Sequence, residues 1–328
     1  MNKIYSVTLL VGGFVFMASC TQNNGDQDSK EQEKRFFDIY LKSHYPGLTP
    51  QASGIYYVEN REGTGISPND SSWVLINHVA YTLPEERVYN TYLENVAFDN
   101  HIEDTVAPAA LYGPYKLRNG VTNEGFTEGL KMMREGGEAT FLFTSELGYG
   151  SKGAGSVGAY TSLKYEVQLL EVLGDDIEAY EAQKILSYTD TIAGVDTIYD
   201  AENDAVMYYV VDEQTDGPPV AIDSTIQVAY RGYLPDGRVF DESKGENYYK
   251  FKVGDYEASS SPIAGWHVGL VKFKEGEKGR LIIPYPLAYG SSGQYSTKRN
   301  VAIPAYETLV FDVEVISVYV EDALKSEK

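Results

Sequence analysis

The feature that constrains this chain most is an internal repeat. The segment "EGFTEGLKMMREGGEATFLFTSELGYGSKG" begins at Glu124 and "AGWHVGLVKFKEGEKGRLIIPYPLAYGSSG" begins at Ala264, so the two superpose at an offset of 140. Upstream, "IYYV" from Ile55 matches "MYYV" from Met207, and downstream "SLKYEVQLLEV" from Ser162 matches "TLVFDVEVISV". A repeat of this length predicts two copies of one domain, which suits a chain of 328 residues.

Each copy combines strands with one short helix. The segments "IQVAYRGYL" and "TLVFDVEVISV" alternate apolar and polar residues, which is the period of strands that bury one face. One stretch per copy follows a helical period instead, with apolar residues at Phe126, Leu130 and Met133 in the first copy and at Trp266, Leu270 and Phe273 in the second. The pattern predicts an α+β fold, in which an antiparallel sheet wraps around one short helix in each of two domains.

The repeat also divides the chain into segments. Acidic, helix-forming stretches, "SKEQEKRFFDIYLKSH" and "DDIEAYEAQKILSY", precede the two copies, and we expect linker helices there. The polar stretch "TQNNGDQDSKEQEK" is typical of a tether. The expected boundaries are a signal peptide at 1–19, a lipidated tether and linker helix at 20–52, the first domain at 53–174, a linker helix at 175–205, the second domain at 206–320 and a polar tail at 321–328.

The first twenty residues have the pattern of an export signal. Lys3 is followed by an apolar stretch that is short for a transmembrane helix, and then by the small residues Ala18 and Ser19 before Cys20, the only cysteine of the chain. This ending resembles the lipobox of bacterial lipoproteins, in which the chain is cut before the cysteine and the thiol is lipidated. We therefore expect a protein of the bacterial cell envelope, anchored at the outer membrane through a lipid on Cys20. An ordinary signal peptide with an incidental cysteine is the alternative.

The composition argues against several classes of function. Acidic residues number 48 against 27 basic ones, and the formal net charge of −21 would repel the phosphates of nucleic acids. The chain has one cysteine and four histidines, and no two histidines are spaced four residues apart as on one face of a helix. This does not make a zinc site, so we expect no metal and no cofactor. The glycine-rich "GSKGAGSVG" lacks the Gly-Lys-Ser/Thr ending of a phosphate-binding loop.

The motifs of the second copy allow a family comparison. They are "VAYRGYLPDGRVFDES", "FKVG", "IAGWHVGL", "YPLAYG" and "IPAYETLVFDVEV". In order and spacing they resemble the FKBP-type peptidyl-prolyl cis-trans isomerases, from Met207 to near Val320. The first copy, from Ile55, resembles the same family less well. The resemblance implies two FKBP-like domains in a tandem isomerase lipoprotein of the kind found in Gram-negative bacteria.

The resemblance also implies a reaction. Rotation about a peptide bond is slow because the amide is conjugated, with a barrier of roughly 18 to 20 kcal/mol. The twisted transition state is less charge-separated than the planar amide, so an apolar cavity shaped for it, with a few hydrogen-bond donors, accelerates rotation without a nucleophile. We expect a peptidyl-prolyl cis-trans isomerase that acts on proline-containing polypeptides and helps exported proteins to fold, with activity mainly in the second domain.

Family correspondence assigns the second pocket residue by residue. Trp266 would form the floor beneath the prolyl ring, and Tyr289 would donate its hydroxyl to a substrate carbonyl. Asp241 would orient polar groups beside the twisting amide, and Ile263 would add an apolar contact and a backbone N–H. The walls would be Tyr230, Phe240 and Phe311, and the rim would be Tyr249 and Ile303. His267, one position after Trp266, is expected to face solvent.

The first copy departs from this pocket. Registering "VLINHVAY" on "IQVAYRGY" and "VYN" on "VFD" gives a set of first-pocket residues, which are His78, Tyr89, Asn90, Phe126, Tyr149 and Tyr165. The loss of the carboxylate and the indole predicts a pocket that is weak or inactive in catalysis, and it leaves peptide binding there open. A competing register uses "AFDN", with Phe98 and Asp99 as the aromatic and acidic pair, but it spoils the strand offset.

Two other functions are open on the sequence alone. One is a peptide-binding chaperone, in which both domains hold unfolded chains without catalysis. The other is a surface-displayed capture lipoprotein that uses the acidic, tyrosine-rich surface and the insertion "LENVAFDNHIEDTVAPA" in the first copy. No oligomeric state follows from the sequence.

Overall fold

The computed structural model describes residues 21–102, 112–296 and 301–319. The expected signal peptide, Cys20 and the tail at 321–328 lie outside these ranges. Helix α1 covers Thr21–His44. The described elements of the first domain follow it in this order: β1 (Tyr56–Arg61), β2 (Trp73–Thr82), β3 (Arg87–Thr91), α2 (Glu94–Asp99), β4 (Tyr115–Arg118), α3 (Glu124–Met132), β5 (Glu138–Phe143) and β6 (Leu163–Gly174).

The second domain repeats this order with additions at both ends. Its described elements are α4 (Ile177–Thr189), β7 (Asp196–Asp200), β8 (Ala205–Glu213), β9 (Thr225–Tyr233), β10 (Val239–Glu242), β11 (Tyr249–Lys252), α5 (Ala264–Leu270), β12 (Lys278–Ile283), β13 (Gln294–Ser296), β14 (Val301–Ile303) and β15 (Leu309–Tyr319). Short 3₁₀ turns at Tyr285–Leu287 and Gly290–Ser292 lie between β12 and β13.

The two sheets have the same strand order. In the first domain β1, β5, β6 and β2 lie side by side, and both β3 and β4 pair with the far edge of β2. In the second domain β8, β12, β15 and β9 take those places, and β10 and β11 both pair with β9. All of these pairs are antiparallel. The expected α+β fold with two related domains is confirmed.

Glycine allows each helix to lie directly on its sheet. A Cβ atom at Gly265, in the first turn of α5, would stand 2.4 Å from Cγ2 of Ile283 on β12. At the same repeat position in α3, a Cβ atom at Gly125 would stand 2.5 Å from the ring of Phe143 on β5. No side chain fits at either place, because real contacts of a Cβ atom are longer than this. The close approach brings the next residue, Trp266, into the core of the second domain.

The structure differs from the expected polar tether at 21–34, because α1 is helical from Thr21. Glu33 is buried and accepts hydrogen bonds from the backbone N–H of Ser145 at 2.6 Å, from its hydroxyl at 2.6 Å and from the hydroxyl of Ser162 at 2.8 Å. Phe37 and Leu41 pack against the outer face of the first sheet. These contacts hold a polar helix on the domain. None of the helices in the described ranges is both long and apolar enough to cross a membrane.

The expected linker helix at 175–205 is helical only in its first part. Asp176 caps α4, since its side chain accepts a hydrogen bond from the backbone N–H of Ala179 at 3.0 Å. The later residues form β7, which pairs antiparallel with β8 and extends the second sheet by one strand. The strand forms because it pairs with the backbone groups along the edge of β8.

Candidate active site

A cavity of about 430 Å³ lies beside the start of α5 in the second domain. Eight of the nine residues assigned to the second pocket line it, and they are Tyr230, Phe240, Asp241, Tyr249, Ile263, Trp266, Tyr289 and Phe311. The sequence reasoning missed four further lining residues, Ser261, Pro262, Ala288 and Gln294. Strands β9, β10, β11 and β15 supply one side of the cavity, and the cap of α5 and the turns after β12 supply the other.

The strand register explains how two of the walls, Phe240 and Phe311, come together at the cavity. Asp241 on β10 and Phe311 on β15 both lie opposite Gly232 on β9. A Cβ atom at Gly232 would stand 2.7 Å from the rings of both Phe240 and Phe311. Because glycine has no side chain, these rings meet edge to face over the strand, with their centroids 5.5 Å apart.

Trp266 forms the aromatic floor of the cavity. Its side chain is 3% exposed. The rings of Tyr230, Phe311 and Tyr249 stand edge-on to the indole, with centroids 5.1, 5.3 and 5.6 Å away. The buried indole N–H has no hydrogen-bond partner among the described residues. The floor is therefore an apolar surface held by close aromatic packing.

The polar side of the cavity is organised around Asp241. Its Oδ2 accepts a hydrogen bond from the Tyr230 hydroxyl at 2.7 Å, and its Oδ1 accepts one from the backbone N–H of Glu242 at 2.9 Å. The pKa of Tyr230 lies well above its ordinary range. Burial is the larger cause, and the hydrogen bond to Asp241 is the second. Tyr230 thus stays protonated at neutral pH. Both carboxylate oxygens already accept bonds from the protein, which suits an orienting group better than a proton-transfer group.

The expectation that His267 faces solvent is wrong, because its side chain is 1% exposed. Its Nδ1 accepts a hydrogen bond from the backbone N–H of Gly254 at 3.0 Å, so Nε2 carries the proton and donates it to the Ser261 hydroxyl at 2.9 Å. The segment between β11 and α5 covers this face of the helix and buries the imidazole, and burial lowers the pKa of His267. His267 thereby anchors the segment that ends at Pro262 and Ile263.

The structure also places Ile303 differently from the expected rim. Its side chain is 1% exposed and belongs to the core of the second domain. In the hairpin of β13 and β14, Ile303 lies opposite Gln294, which lines the cavity instead. The sequence comparison could not register this position, because the segment after Gly293 is longer in the second copy than in the first.

The corresponding residues of the first domain occupy the same places in the sheet. Ala80 on β2 lies opposite both Asn90 on β3 and Tyr165 on β6, as Gly232 does in the second domain. His78 therefore takes the position of Tyr230, and its Nε2 is 2.9 Å from Oδ1 of Asn90. The competing "AFDN" register is excluded, since Phe98 lies on α2 with 65% of its side chain exposed and Asp99 ends that helix.

Two tyrosines that the sequence reasoning missed cover His78. Tyr115 lies opposite Ile76, as Tyr249 lies opposite Val228, and its hydroxyl is 3.0 Å from Nδ1 of His78. Tyr92 stacks on Tyr115 with centroids 3.8 Å apart. Burial lowers the pKa of His78 to about 4, so the imidazole is neutral at pH 7. A neutral ring donates from Nε2 to Asn90 and accepts at Nδ1 from Tyr115.

A second set of hydrogen bonds fills the rest of the first pocket. Asn123 stands where the second domain has Ile263, and its Nδ2 donates to the Tyr165 hydroxyl at 2.9 Å while its Oδ1 accepts from the backbone N–H of Phe126 at 2.9 Å. The Tyr89 hydroxyl donates to that of Tyr165 at 2.5 Å. Burial raises the pKa of both tyrosines, and Tyr149 packs on the same core. Groups that border a cavity in the second domain are bonded to one another here.

Comparison with known proteins agrees with this geometry. The model of the FKBP-type peptidyl-prolyl cis-trans isomerases matches residues 88–170 and 217–316, which together make up more than half of the chain. This chain belongs to the FKBP-type peptidyl-prolyl cis-trans isomerase family. The two matched ranges fall in the two structural domains, so both are FKBP domains.

Individual relatives match shorter stretches. A peptidyl-prolyl cis-trans isomerase of Arabidopsis thaliana, FKBP15-2, is 45% identical over 96 residues, which cover 29% of this chain and 53% of that protein. The macrophage infectivity potentiator of Trypanosoma cruzi is 41% identical over 98 residues, 30% of this chain and 45% of that protein. The chain thus spans about half the length of these relatives. The crystal structure of the three FKBP domains of wheat FKBP73 aligns with this chain at 19% sequence identity and a TM-score of 0.32. The alignment covers 82% of this chain and 97% of the wheat chain.

We predict a flat pH profile for the pocket of the second FKBP domain. The raised pKa of Tyr230 keeps it protonated, and the lowered pKa of His267 keeps it neutral, between about pH 7 and 9. On the acid side, stability that His267 contributes is complete above its ordinary pKa of about 6.5 and is lost as the pH falls through the lowered value. The kcat/KM for a proline peptide, measured across this range, should be constant from pH 7 to 9. A tenfold change per pH unit there would show that a group required for activity titrates in this range, and would contradict the protonation states assigned to Tyr230 and His267.

Proposed function

We propose that this protein is a peptidyl-prolyl cis-trans isomerase whose activity lies mainly in the second FKBP domain. The observation that supports this most strongly is the contrast between the two pockets. In the second domain, an apolar floor and a few polar groups border a cavity of about 430 Å³. In the first, the side chains at the matching positions hydrogen-bond to each other, as Asn123 does to Tyr165 and His78 does to Asn90.

The cavity suits a reaction that needs no covalent chemistry. A prolyl ring would rest on Trp266 and against the rings of Phe240 and Phe311, where the walls are aromatic and largely buried. As the amide twists it loses conjugation and charge separation, so an apolar environment favours the twisted state over the planar one. A millionfold acceleration needs only about 8 kcal/mol of differential stabilisation, which several modest terms can supply.

The polar groups have positioning roles in this proposal. The Tyr289 hydroxyl and the Ile263 backbone N–H would donate hydrogen bonds to carbonyls of the substrate that flank the rotating bond. Asp241 would hold the Tyr230 hydroxyl through the 2.7 Å hydrogen bond, so that this edge of the cavity keeps its shape as the amide turns. The His267 anchor would hold Ile263 at the mouth of the cavity.

A matched pair of substitutions tests the assignment of activity to the second domain. Tyr289 and Tyr149 occupy the same position of the repeat. We predict that Tyr289→Phe lowers kcat/KM for a proline tetrapeptide about tenfold, because one hydrogen bond to the substrate is lost. Tyr149→Phe in the full chain should leave kcat/KM within about twofold of wild type. Exchange NMR of the peptide measures the rate without a coupled protease.

The outcome that would contradict this assignment is the reverse order of the two variants. A second substitution guards against an indirect effect. Asp241 is exposed at the rim, so Asp241→Val does not open a cavity in the core. It should also lower kcat/KM, since the Tyr230 hydroxyl loses its acceptor. Wild-type activity in both Tyr289→Phe and Asp241→Val would exclude this cavity as the active site, and full protection against aggregation without isomerase activity would favour a chaperone.

We further propose that the isomerase works in the bacterial cell envelope, as a lipoprotein anchored through Cys20, on proline-containing segments of exported polypeptides. The support is the order of Lys3, an apolar stretch, Ala18, Ser19 and Cys20 in the sequence. We predict that the expressed protein incorporates labelled palmitate and sediments with membranes, and that Cys20→Ser abolishes both. A Cys20→Ser protein that loses the label but still sediments with membranes would contradict the lipid as the membrane anchor. A Cys20→Ser protein that keeps both the label and the membrane association would contradict any role of Cys20.

A further inference from the structure

A buried cluster of charged side chains joins the two FKBP domains. Lys116 on β4 of the first domain places its Nζ 2.6 Å from Oε1 of Glu181 on α4 and 2.7 Å from Oε2 of Glu307, just before β15 of the second domain. The three side chains are 4%, 2% and 5% exposed. Lys184 on α4 reaches the same carboxylates, at 3.1 Å from Glu307 and 3.7 Å from Glu181. The cluster therefore balances two positive and two negative charges.

Burial restricts the charged groups of this cluster to arrangements in which each charge contacts its partner. Removing charged groups from water is costly, and the cost is recovered only when each charge keeps its partner at close range. Burial lowers the pKa of Lys184, but the charges of Glu307 and Glu181 outweigh burial and raise it above the ordinary value. Because the members belong to the first domain, the linker helix and the second domain, the low-energy arrangement defines how these three segments meet.

The same lysine also contacts the backbone of the second domain. Lys116 Nζ donates a hydrogen bond to the carbonyl oxygen of Tyr306 at 3.2 Å. The Tyr306 ring stands edge-on to Trp73 of the first domain, with centroids 5.5 Å apart, and 5.1 Å from the ring of Tyr285. Tyr306 has a left-handed backbone, with φ of 55°, which is uncommon for a residue with a side chain. Lys116 and Trp73 of the first domain thus contact a residue whose conformation needs support.

Tyr306 is in turn bonded to the residues around the cavity. Its backbone N–H donates to the carbonyl oxygen of Gly290 at 3.0 Å, and the residue before Gly290 is Tyr289, which lines the cavity. Three residues before Tyr306 lies Ile303, the hairpin partner of the lining residue Gln294. Soon after Glu307 begins β15, which carries the wall residue Phe311. One side of the cavity is therefore tied to the segment that Lys116 holds.

We infer that Lys116 of the first domain is a positioning residue for the isomerase pocket of the second domain. It holds Tyr306 and Glu307 in place, and these keep Tyr289 and Gln294 at the distances that the substrate requires. The first domain, with its filled pocket, thereby contributes to the catalysis of its neighbour. The inference rests on the proposed isomerase activity of the second domain.

The test uses the full chain and three variants at this cluster. Lys116→Met removes the cation but leaves an excess of buried negative charge, which could prevent folding. Lys116→Met with Glu307→Gln removes the bridge and keeps the charge balanced, because Glu181 retains Lys184. Lys116→Arg restores a cation with several donors. The matched control is Lys131→Met, which breaks ion pairs of the first domain with Asp70 and Glu128 away from the cluster.

We expect the charge-balanced double variant to lower kcat/KM for a proline tetrapeptide about tenfold, because a small displacement of positioned groups has a large effect on rate. Lys116→Arg keeps a cation at this position and should retain most of the wild-type kcat/KM. Lys131→Met should leave kcat/KM unchanged. In a parallel Trp266→Phe background, Trp73 is the remaining tryptophan. Acrylamide should quench the fluorescence of Trp73 more strongly in the double variant than in the parent. With Lys116→Arg the quenching should equal that of the parent.

Each outcome supports or overturns a distinct statement. A wild-type chain without isomerase activity contradicts the proposed function. An active wild-type chain whose double variant keeps the wild-type kcat/KM contradicts the inference about Lys116 alone, and so does a loss that Lys116→Arg fails to restore. Near-UV circular dichroism of the full chain verifies that the double variant has folded.

Discussion

Both domains depend on a short helix that lies directly on an antiparallel sheet. The contact is possible only because glycine faces the sheet in the first turn, at Gly125 below Phe143 and at Gly265 below Ile283. This close approach brings an aromatic residue, Phe126 or Trp266, into the space between helix and sheet. Strand register then decides which side chains surround that residue. The floor of the pocket is a consequence of this packing, and the segment before α5 and the turns after β12 complete the pocket.

The same backbone arrangement leads to opposite results in the two copies. In the first domain, histidine, asparagine and tyrosine at the pocket positions find hydrogen-bond partners in each other, and buried polar groups need such partners. In the second domain, phenylalanine and isoleucine stand where Tyr89 and Asn123 stand in the first, and the aromatic groups border open space. We propose that the first domain acts as a support, since its Lys116 enters the ion cluster that contains Glu307 of the second domain.

Much of this could be predicted from the sequence, because the repeat compares the chain with itself. The offset is constant within each aligned segment, so Ala80 corresponds to Gly232 and Asn90 to Asp241, and the structure pairs both sets in the same way. Contacts between distant segments could not be predicted this way. The burial of His267 depends on a loop that folds back over α5, and Ile303 lies in a segment where the copies differ in length. Tyr115 could have been found from the sequence, because "YKLR" from Tyr115 matches "YKFK" from Tyr249 once the insertion of the first copy is allowed for.

We propose that the second pocket accepts a proline peptide and that the first does not, since the polar groups of the first pocket are bonded to one another. The sequence alone leaves peptide binding by the first pocket open. Nitrogen-15 NMR of the full chain measures both sites at once, during titration with a short peptide that contains a Leu-Pro bond. We expect shifts of the Trp266 indole N–H and the Ile263 amide, with unchanged amides at Asn123 and Phe126. Equal shifts at Asn123 and Phe126, or none at Trp266 and Ile263, would contradict it.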